Sequence, residues 1–218
     1  MTENSYSSIM KEFQSGKREI EIPFNIFLSD DVGDEEGFDT SSQLLYWDEQ
    51  NEHEKQINPI ILHINSFGGD VYEMHRIVDV MKGIPTPVIT YCSGKAMSAA
   101  AYILAHGDAR FISPNSWVML HSIQSWMEGS AHDIKIEHNH VITLQRRFVE
   151  KLAAATGQTK KKIESVTDRD HYFDADAAVA FGLVDEIAED VPKTFCAKVK
   201  PTRTRKKTAK KTTIKKSK

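Results

Sequence analysis

Two consecutive units, each made of a short apolar segment, a glycine turn and a helical pattern, constrain the fold of this chain most. Residues 59–65 (PIILHIN) form an apolar run that ends in SFGG and precedes a helical pattern over residues 70–83. Residues 86–94 (TPVITYCSG) repeat the arrangement before a helix of small residues over 95–107. Strands alternating with helices are typical of a parallel sheet in an α/β protein. Because the loops after such strands lie at one edge, we expect SFGG and SGKAMSAAA to line the same crevice.

The other segments complete one domain around these two units. Before the two units, we predict a strand over 20–28 and a helix over 41–54 that is capped by Thr40. After them, we predict two short β segments around the Pro114-Asn115 turn and a long helix over 131–156. Short helices over 159–166 and 174–181 and a closing strand over 183–187 complete the chain.

The composition is that of an ordinary globular protein. Of the 218 residues, 40% are hydrophobic and 27% are charged, which suits one domain with tails. Cys92 and Cys196 are too few for a disulfide framework and lack the spacing of a zinc site. No apolar run reaches the length of a membrane span, and the first residues lack the layout of a signal peptide. We therefore expect a cytoplasmic protein without a membrane partner.

The charge is distributed unevenly along the chain. Residues 193–218 hold 12 of the 28 Lys and Arg and no acidic residue, so the rest has 16 basic and 31 acidic residues. With little apolar surface to bury, this terminal run is predicted to be a disordered basic tail. Its expected contacts are nucleic acid or an acidic surface, and a solvated tail that aids solubility is the alternative.

Ser98 is a candidate nucleophile because it opens a helix of small residues. Its hydroxyl would be uncrowded there, and the following amide, that of Ala99, would point outward from the helix and could bind an oxyanion. Gly69 offers a second amide on a backbone that a substrate can approach closely. Acyl transfer needs two such donors.

A serine nucleophile also needs a base and a carboxylate that orients this base. Among nine histidines, His121 stands out because it follows the apolar segment WVML and begins a polar loop. A histidine in such a place is more often a structural residue. Asp170 lies in the TDRD turn, where an aspartate usually caps backbone amides, so the residues alone leave both roles open.

Three motifs resemble those of the ClpP family of caseinolytic serine peptidases. INSFGG at residues 64–69 is similar to the family's INSPGG, GKAMSAAA at 94–101 to GQAASMGA, and RFISPNSWVMLH at 110–121 to RFCLPNSRVMIH. Their order and spacing agree. The later segment TGQTKKKIESVTDRDHYFDADAAVAFGLVDEI also resembles the family, and the likeness extends from about residue 20 to residue 187.

The resemblance implies a serine endopeptidase with Ser98 as nucleophile, His121 as base and Asp170 as the orienting acid. It places the oxyanion amides at Gly69 and Ala99 and requires neither a metal nor a cofactor. The implied fold is the α/β ClpP/crotonase-like fold of repeated β-β-α units, with a parallel sheet and a protruding handle helix. The implied substrates are unfolded proteins or peptides.

The resemblance also implies an assembly. Family members form a homo-oligomer of two stacked heptameric rings, which an AAA+ unfoldase similar to ClpX or ClpA supplies with substrate. The long helix after residue 131 and the preceding QSWMEGS segment would form the handle between the rings. The predicted organisation is an N-terminal segment over 1–19, an axial loop or leader, then a peptidase domain over 20–190 and the basic tail over 191–218.

Several positions depart from the family pattern. Phe67 replaces its proline, Lys95 its glutamine, and Ser122-Ile123 replaces Gln-Pro after the histidine; Met97 and Ala99, on either side of Ser98, also differ. Phe67 and Ile123 are expected to alter the peptide groove, and Lys95 raises the alternative of a Ser-Lys dyad.

Other functions stay open at this point. A phage head-maturation protease of the same fold, which would act in a host cytoplasm, fits the divergent motifs and the basic tail. A non-catalytic ring subunit and a crotonase-like acyl-CoA enzyme are the further alternatives. Ser98, His121 and Asp170 are all present, which argues against a non-catalytic subunit. The GKAMSAAA and VMLH segments argue against a crotonase-like enzyme.

Overall fold

The protein is a mixed α/β structure in which a predominantly parallel sheet is packed against helices, as the sequence predicts. The structure is a computed structural model and describes residues 24–53 and 58–191, without the side chains of residues 52 and 53. The predicted N-terminal segment over 1–19 and nearly all of the basic tail lie outside the described residues. The domain boundaries therefore stay predictions.

Within the described residues there are seven strands and six helices. The strands are β1 (Asn25–Leu28), β2 (Ile60–Ser66), β3 (Val88–Met97), β4 (Ala109–Ile112), β5 (Trp117–Leu120), β6 (His171–Phe173) and β7 (Glu186–Ile187). The helices are α1 (Asp34–His53), α2 (Val71–Gly83), α3 (Ala99–Ala105), α4 (Ala131–Thr156), α5 (Lys160–Thr167) and α6 (Ala175–Phe181).

The sheet has the order β1-β2-β3-β4-β7, and each of these neighbours is parallel. Strand β2 lies between β1 and β3, with Ile60, Leu62 and Ile64 of one face fully buried and Ile61 of the other face 3% exposed, as expected for a strand covered on both faces. Helix α3 is buried along its entire length, because its small residues allow close packing against the sheet. The core thus lies directly beneath the loops that follow β2 and β3.

Strand β3 changes partner along its length. Its first part pairs with β4, from Ile89 opposite Ala109 to Cys92 opposite Ile112. Its last part pairs in parallel with β5, from Lys95 opposite Trp117 to Met97 opposite Met119. Because both strands end at the same edge, the residues after β3 and after β5 are brought together.

Strand β6 continues the sheet beyond β5 in the antiparallel direction. Leu120 pairs with His171, so the next register position sets residue 121 opposite residue 170. The sheet pairing alone therefore gathers the segments that carry all three predicted triad residues.

Two predicted boundaries differ from the structure. The strand predicted over 86–94 continues to Met97, because residues 95–97 gain hydrogen-bonding partners in β5, and the helix predicted from residue 95 begins only at Ala99. The predicted helix over 41–54 begins at Asp34, so Thr40 is a buried residue inside the helix and not its cap.

The early start of α1 has a local reason. Asp34, Glu35 and Glu36 occupy its first turn, where acidic side chains stabilise the positive end of the helix dipole. Gly37 lies where α1 passes α2, and a Cβ there would come within 2.7 Å of the Glu73 Cβ. The predicted helix starts after this glycine and acid-rich stretch, whereas the structure includes the stretch in α1 and uses the glycine for close helix packing.

The other predicted elements agree with the structure to within a few residues. The long helix α4 spans the predicted range and ends at Gly157, which has a φ of 73°. Helices α5 and α6 are capped by Thr159 and Asp174. The first strand is described from Asn25 onward, and the earlier part of its predicted range falls outside the described residues.

The point where β3 changes partner is held by a buried serine. Ser116 Oγ accepts a hydrogen bond from the Gly94 amide at 2.6 Å and lies 2.5 Å from Ser113 Oγ. The pairing between β2 and β3 also shifts register here, between Ile64 and Ser66. This serine therefore stabilises the irregular backbone just before the candidate nucleophile.

We predict that Ser116→Ala lowers the free energy of unfolding by about 1–3 kcal/mol, because the Gly94 amide loses its acceptor. The measurement is urea denaturation followed by tryptophan fluorescence. The matched control is Ser93→Ala, at an exposed serine next to Gly94 on β3. This variant should change the stability by less than about 0.5 kcal/mol. Equal stabilities for the two variants would contradict this role of Ser116.

Candidate active site

Ser98 occupies a strained turn between β3 and α3. Its backbone has φ 53° and ψ −120°, and it is the only non-glycine among the described residues with a positive φ. Its amide donates to the Met119 carbonyl of β5 at 2.8 Å, and its carbonyl accepts from the Tyr102 amide of α3. Such strain persists only where the surroundings enforce it, and it often marks functional sites.

His121 follows β5 and lies directly against this serine. Its Nε2 is 2.7 Å from Ser98 Oγ, within the range of a strong hydrogen bond. With the ring proton on Nδ1, Nε2 accepts the hydroxyl proton, which is the arrangement that a general base needs. The structure thus brings the predicted nucleophile and the predicted base together.

The other ring nitrogen of His121 has no partner. Nδ1 is buried and forms no hydrogen bond with any described residue. Leaving such a group without a partner costs about 1–3 kcal/mol. The ring is therefore held at Nε2 only.

Asp170 lies opposite His121 across the β5–β6 pairing, but its side chain is exposed and forms no hydrogen bond with the histidine. The structure does not join all three predicted triad residues through their side chains. The role of Asp170 stays a prediction.

The SFGG loop packs directly on the Ser98 turn. A Cβ added to Gly68, which has φ 97°, would lie 2.5 Å from the Met97 carbonyl oxygen and 2.8 Å from the Ala99 nitrogen. The two predicted oxyanion donors, Gly69 and Ala99, therefore belong to turns in close contact. Neither amide donates a backbone hydrogen bond within the described residues outside the regular helices and strands.

A set of hydrogen bonds joins this loop to the segment after β1. Ser66 Oγ donates to the Asp30 carbonyl at 2.5 Å and accepts from the Gly68 amide at 3.0 Å. Val32 donates to the Gly68 carbonyl and accepts from the Asp70 amide. Sequence reasoning missed this support, although Ser66 belongs to the INSFGG motif and could have been identified there.

A cavity of about 510 Å³ lies between α4 and α5, and Ser122, the residue after His121, is part of its lining. The buried Val149 and charged side chains from both helices also line it. The residues that line it are Ser122, Ile142, Gln145, Arg146, Val149, Glu150, Lys160, Glu164, Thr167 and Asp168.

Lys95, the alternative base, is engaged elsewhere. Its Nζ lies 4.1 Å from the centroid of the Phe67 ring, a cation–π contact. Ser98 Oγ is hydrogen-bonded to His121. The geometry therefore favours a Ser-His pair over a Ser-Lys dyad.

The remaining candidates for reactive or metal-binding groups have structural roles. Burial raises the pKa of the Cys92 thiol to about 12, so this cysteine is not a nucleophile at neutral pH. His140 Nε2 lies 2.8 Å from the Tyr72 hydroxyl. In the described part of the chain, no group of three or more His, Cys, Asp or Glu could hold a metal ion.

Comparison with known families now identifies the chain. The sequence model of the Clp protease family, described as Clp protease, matches residues 17–191. The chain belongs to the Clp protease family. The matched range contains the SFGG loop, the Ser98 turn, His121 and the TDRD turn, and it ends at residue 191, where the predicted basic tail begins.

Membership in the Clp protease family agrees with the mixed α/β fold and supports a ClpP-like peptidase. It also agrees with the resemblance that the three sequence motifs indicate. None of the helices in the described part of this Clp family member has the length and hydrophobicity that a bilayer-spanning helix needs.

We predict that Gly68→Ala disrupts the site, because its Cβ would collide with backbone atoms of the Ser98 turn and the backbone would be strained. The expected loss of stability is about 1–3 kcal/mol. Peptidase activity should fall by about 100-fold or more, since a small displacement of reacting groups suffices for that. The measurements are urea denaturation and hydrolysis of a fluorogenic peptide.

The matched control is Gly83→Ala, at a glycine whose added Cβ would meet nothing within 4 Å. It should retain wild-type activity. Wild-type activity in Gly68→Ala would show that the SFGG loop does not need its close approach to Ser98.

Proposed function

We propose that the protein is a serine endopeptidase in which Ser98 attacks the peptide carbonyl and His121 accepts the hydroxyl proton. The single observation that carries this proposal is the 2.7 Å contact between His121 Nε2 and Ser98 Oγ at the strained Ser98 turn. The strained backbone presents the hydroxyl at the end of β3, where parallel-sheet proteins place their sites.

The proposed reaction proceeds in two stages. Ser98 Oγ bonds to the substrate carbonyl carbon, the proton passes to His121, and the amides of Gly69 and Ala99 stabilise the oxyanion. The C–N bond then breaks as His121 returns the proton to the leaving amine. Water, deprotonated by His121, hydrolyses the acyl-enzyme and restores Ser98.

Asp170 is the proposed orienting acid. Its position opposite His121 in the β5–β6 register and the unpartnered Nδ1 support this assignment. A carboxylate at Nδ1 would fix the tautomer that leaves Nε2 free to accept the serine proton.

We further propose that the protein is the proteolytic subunit of a Clp-type ATP-dependent protease, assembled in rings. The exposed apolar side chains at the start of the predicted handle support an assembly, since such patches often mark interfaces. Trp126 is 87% exposed, and Ile136 and Ile142 of α4 are 57% and 56% exposed. The substrates would be unfolded polypeptides that an AAA+ unfoldase delivers.

The proposed function predicts one fluorophosphonate adduct per chain, detected by intact mass spectrometry and absent in Ser98→Ala. The hydroxyl activated by His121 is expected to be the only serine that reacts. Ser93→Ala, on the exposed part of β3, serves as the control and should be labelled like the wild type. An assembled wild-type protein that takes up no adduct would instead indicate a non-catalytic ring subunit.

We predict that Asp170→Asn slows this labelling on the order of 10³-fold, because the neutral amide has no charge to stabilise the imidazolium and its NH₂ group can donate to Nδ1, which favours the wrong histidine tautomer. The measurement is the time course of adduct formation. Asp176→Asn, at an exposed residue in the first turn of α6, is the control and should label at the wild-type rate. An unchanged rate in Asp170→Asn would exclude Asp170 as the acid.

A further inference from the structure

One side chain of α4 holds the segment that follows His121. Residues 122–129 form neither helix nor strand. The Ile123 amide donates a hydrogen bond of 2.8 Å to Gln145 Oε1. Across the described part of the chain, this is the only hydrogen bond that the structure gives to residues 122–129, and the Ile123 side chain packs against the core at the same place.

Gln145 is a firm attachment point. It lies on α4 between the buried residues Leu144 and Phe148, whose packing anchors this part of the helix in the core. The glutamine is itself partly buried, and it lines the cavity between α4 and α5 together with Ser122. A displacement of Ile123 away from α4 would therefore change both the backbone after the histidine and the shape of the cavity.

This attachment matters because the His121 ring is held at only one nitrogen. Nε2 contacts Ser98 Oγ, whereas Nδ1 has no partner among the described residues. The position of the ring then depends on the backbone on its two sides. Before His121, the pairing of β5 with β3 and β6 fixes the chain; after it, the fixed point is Ile123 on Gln145.

The Ile123 amide can donate this hydrogen bond because the sequence departs here from the family pattern. Ile123 stands where the ClpP motif has proline after the histidine, and proline has no amide hydrogen to donate. The contact with Gln145 is therefore a property of this sequence. It replaces the stiffness of a proline with a hydrogen bond to a neighbouring helix.

We propose that Gln145 is a positioning residue that holds His121 against Ser98 through the Ile123 amide. This inference rests on the proposed function, since it assigns Gln145 to the same Ser-His pair. Gln145 does not touch the reacting atoms; it acts on the backbone two residues after the base.

The first test is the fluorophosphonate labelling of Gln145→Ala over a range of probe concentrations. The maximal labelling rate should fall about 3- to 10-fold, the effect expected for the loss of one hydrogen bond. The half-saturating concentration should stay unchanged, because the probe still enters the same site. Arg147→Ala, an exposed residue of α4 that does not line the cavity, is the control and should label like the wild type.

The second test is a double-mutant cycle with Ile123→Pro, which removes the donor and restores the family residue. Gln145→Ala should slow labelling in the wild-type background and have no effect in the Ile123→Pro background. An equal loss in both backgrounds would overturn the proposal, because Gln145 would then act through another contact. A wild-type rate in Gln145→Ala alone would overturn it as well.

Hydrogen exchange separates this inference from the proposed function. If the wild type takes up no probe, the proposed function fails, and the role of Gln145 is judged from exchange of residues 122–129. The Ile123 amide, which donates the hydrogen bond to Gln145, should exchange faster in Gln145→Ala than in the wild type or in Arg147→Ala. Equal exchange in all three proteins would overturn the positioning role, whatever the labelling result and even if Ile123→Pro does not fold.

Discussion

The change of partner along β3 is the constraint on which the rest of the site depends. Residues 89–92 of this strand pair with β4, and residues 95–97 pair with β5. If β3 paired with β4 along its whole length, β5 would not lie beside residues 95–97, and His121 would not lie next to Ser98. The glycine at position 94, with φ 97° and its amide bonded to Ser116, allows the strand to bend where the partners change. Sheet pairing, and not a direct attraction between side chains, therefore brings the candidate nucleophile and base together.

The site stores strain that the surrounding core must offset. Ser98 has a backbone conformation that costs about 1–3 kcal/mol in a non-glycine residue, and the buried Nδ1 of His121 adds a cost of similar size. The fully buried α3 and the central strand β2 supply the apolar packing that holds this geometry. The result is a site in which Ser98 and His121 are already in hydrogen-bond contact, while the Asp170 side chain is exposed.

Three departures from the Clp family pattern lie near the site and form contacts of their own. Phe67, in place of proline, lies beneath the Lys95 ammonium, and Lys95 itself replaces a family glutamine. Ile123, also in place of proline, has a backbone donor that Gln145 satisfies. The Ser-His contact is kept beside these replacements.

The sequence by itself determined the order of most strands and helices, although not strand β6, and the motifs that carry Ser98, His121 and Asp170. These features depend on local patterns: apolar runs, glycine turns and residue spacing. Only the tertiary structure decided where β3 ends, how closely α1 packs on α2 and that the Asp170 side chain is exposed. Residues 95–97 become strand because β5 lies beside them, and the close approach of α1 to Glu73 of α2 leaves no room for a Cβ at Gly37. The contacts of Ser66 with Asp30 and of Gln145 with Ile123 likewise join residues 36 and 22 positions apart. Such contacts arise from packing between distant segments, which no local pattern specifies.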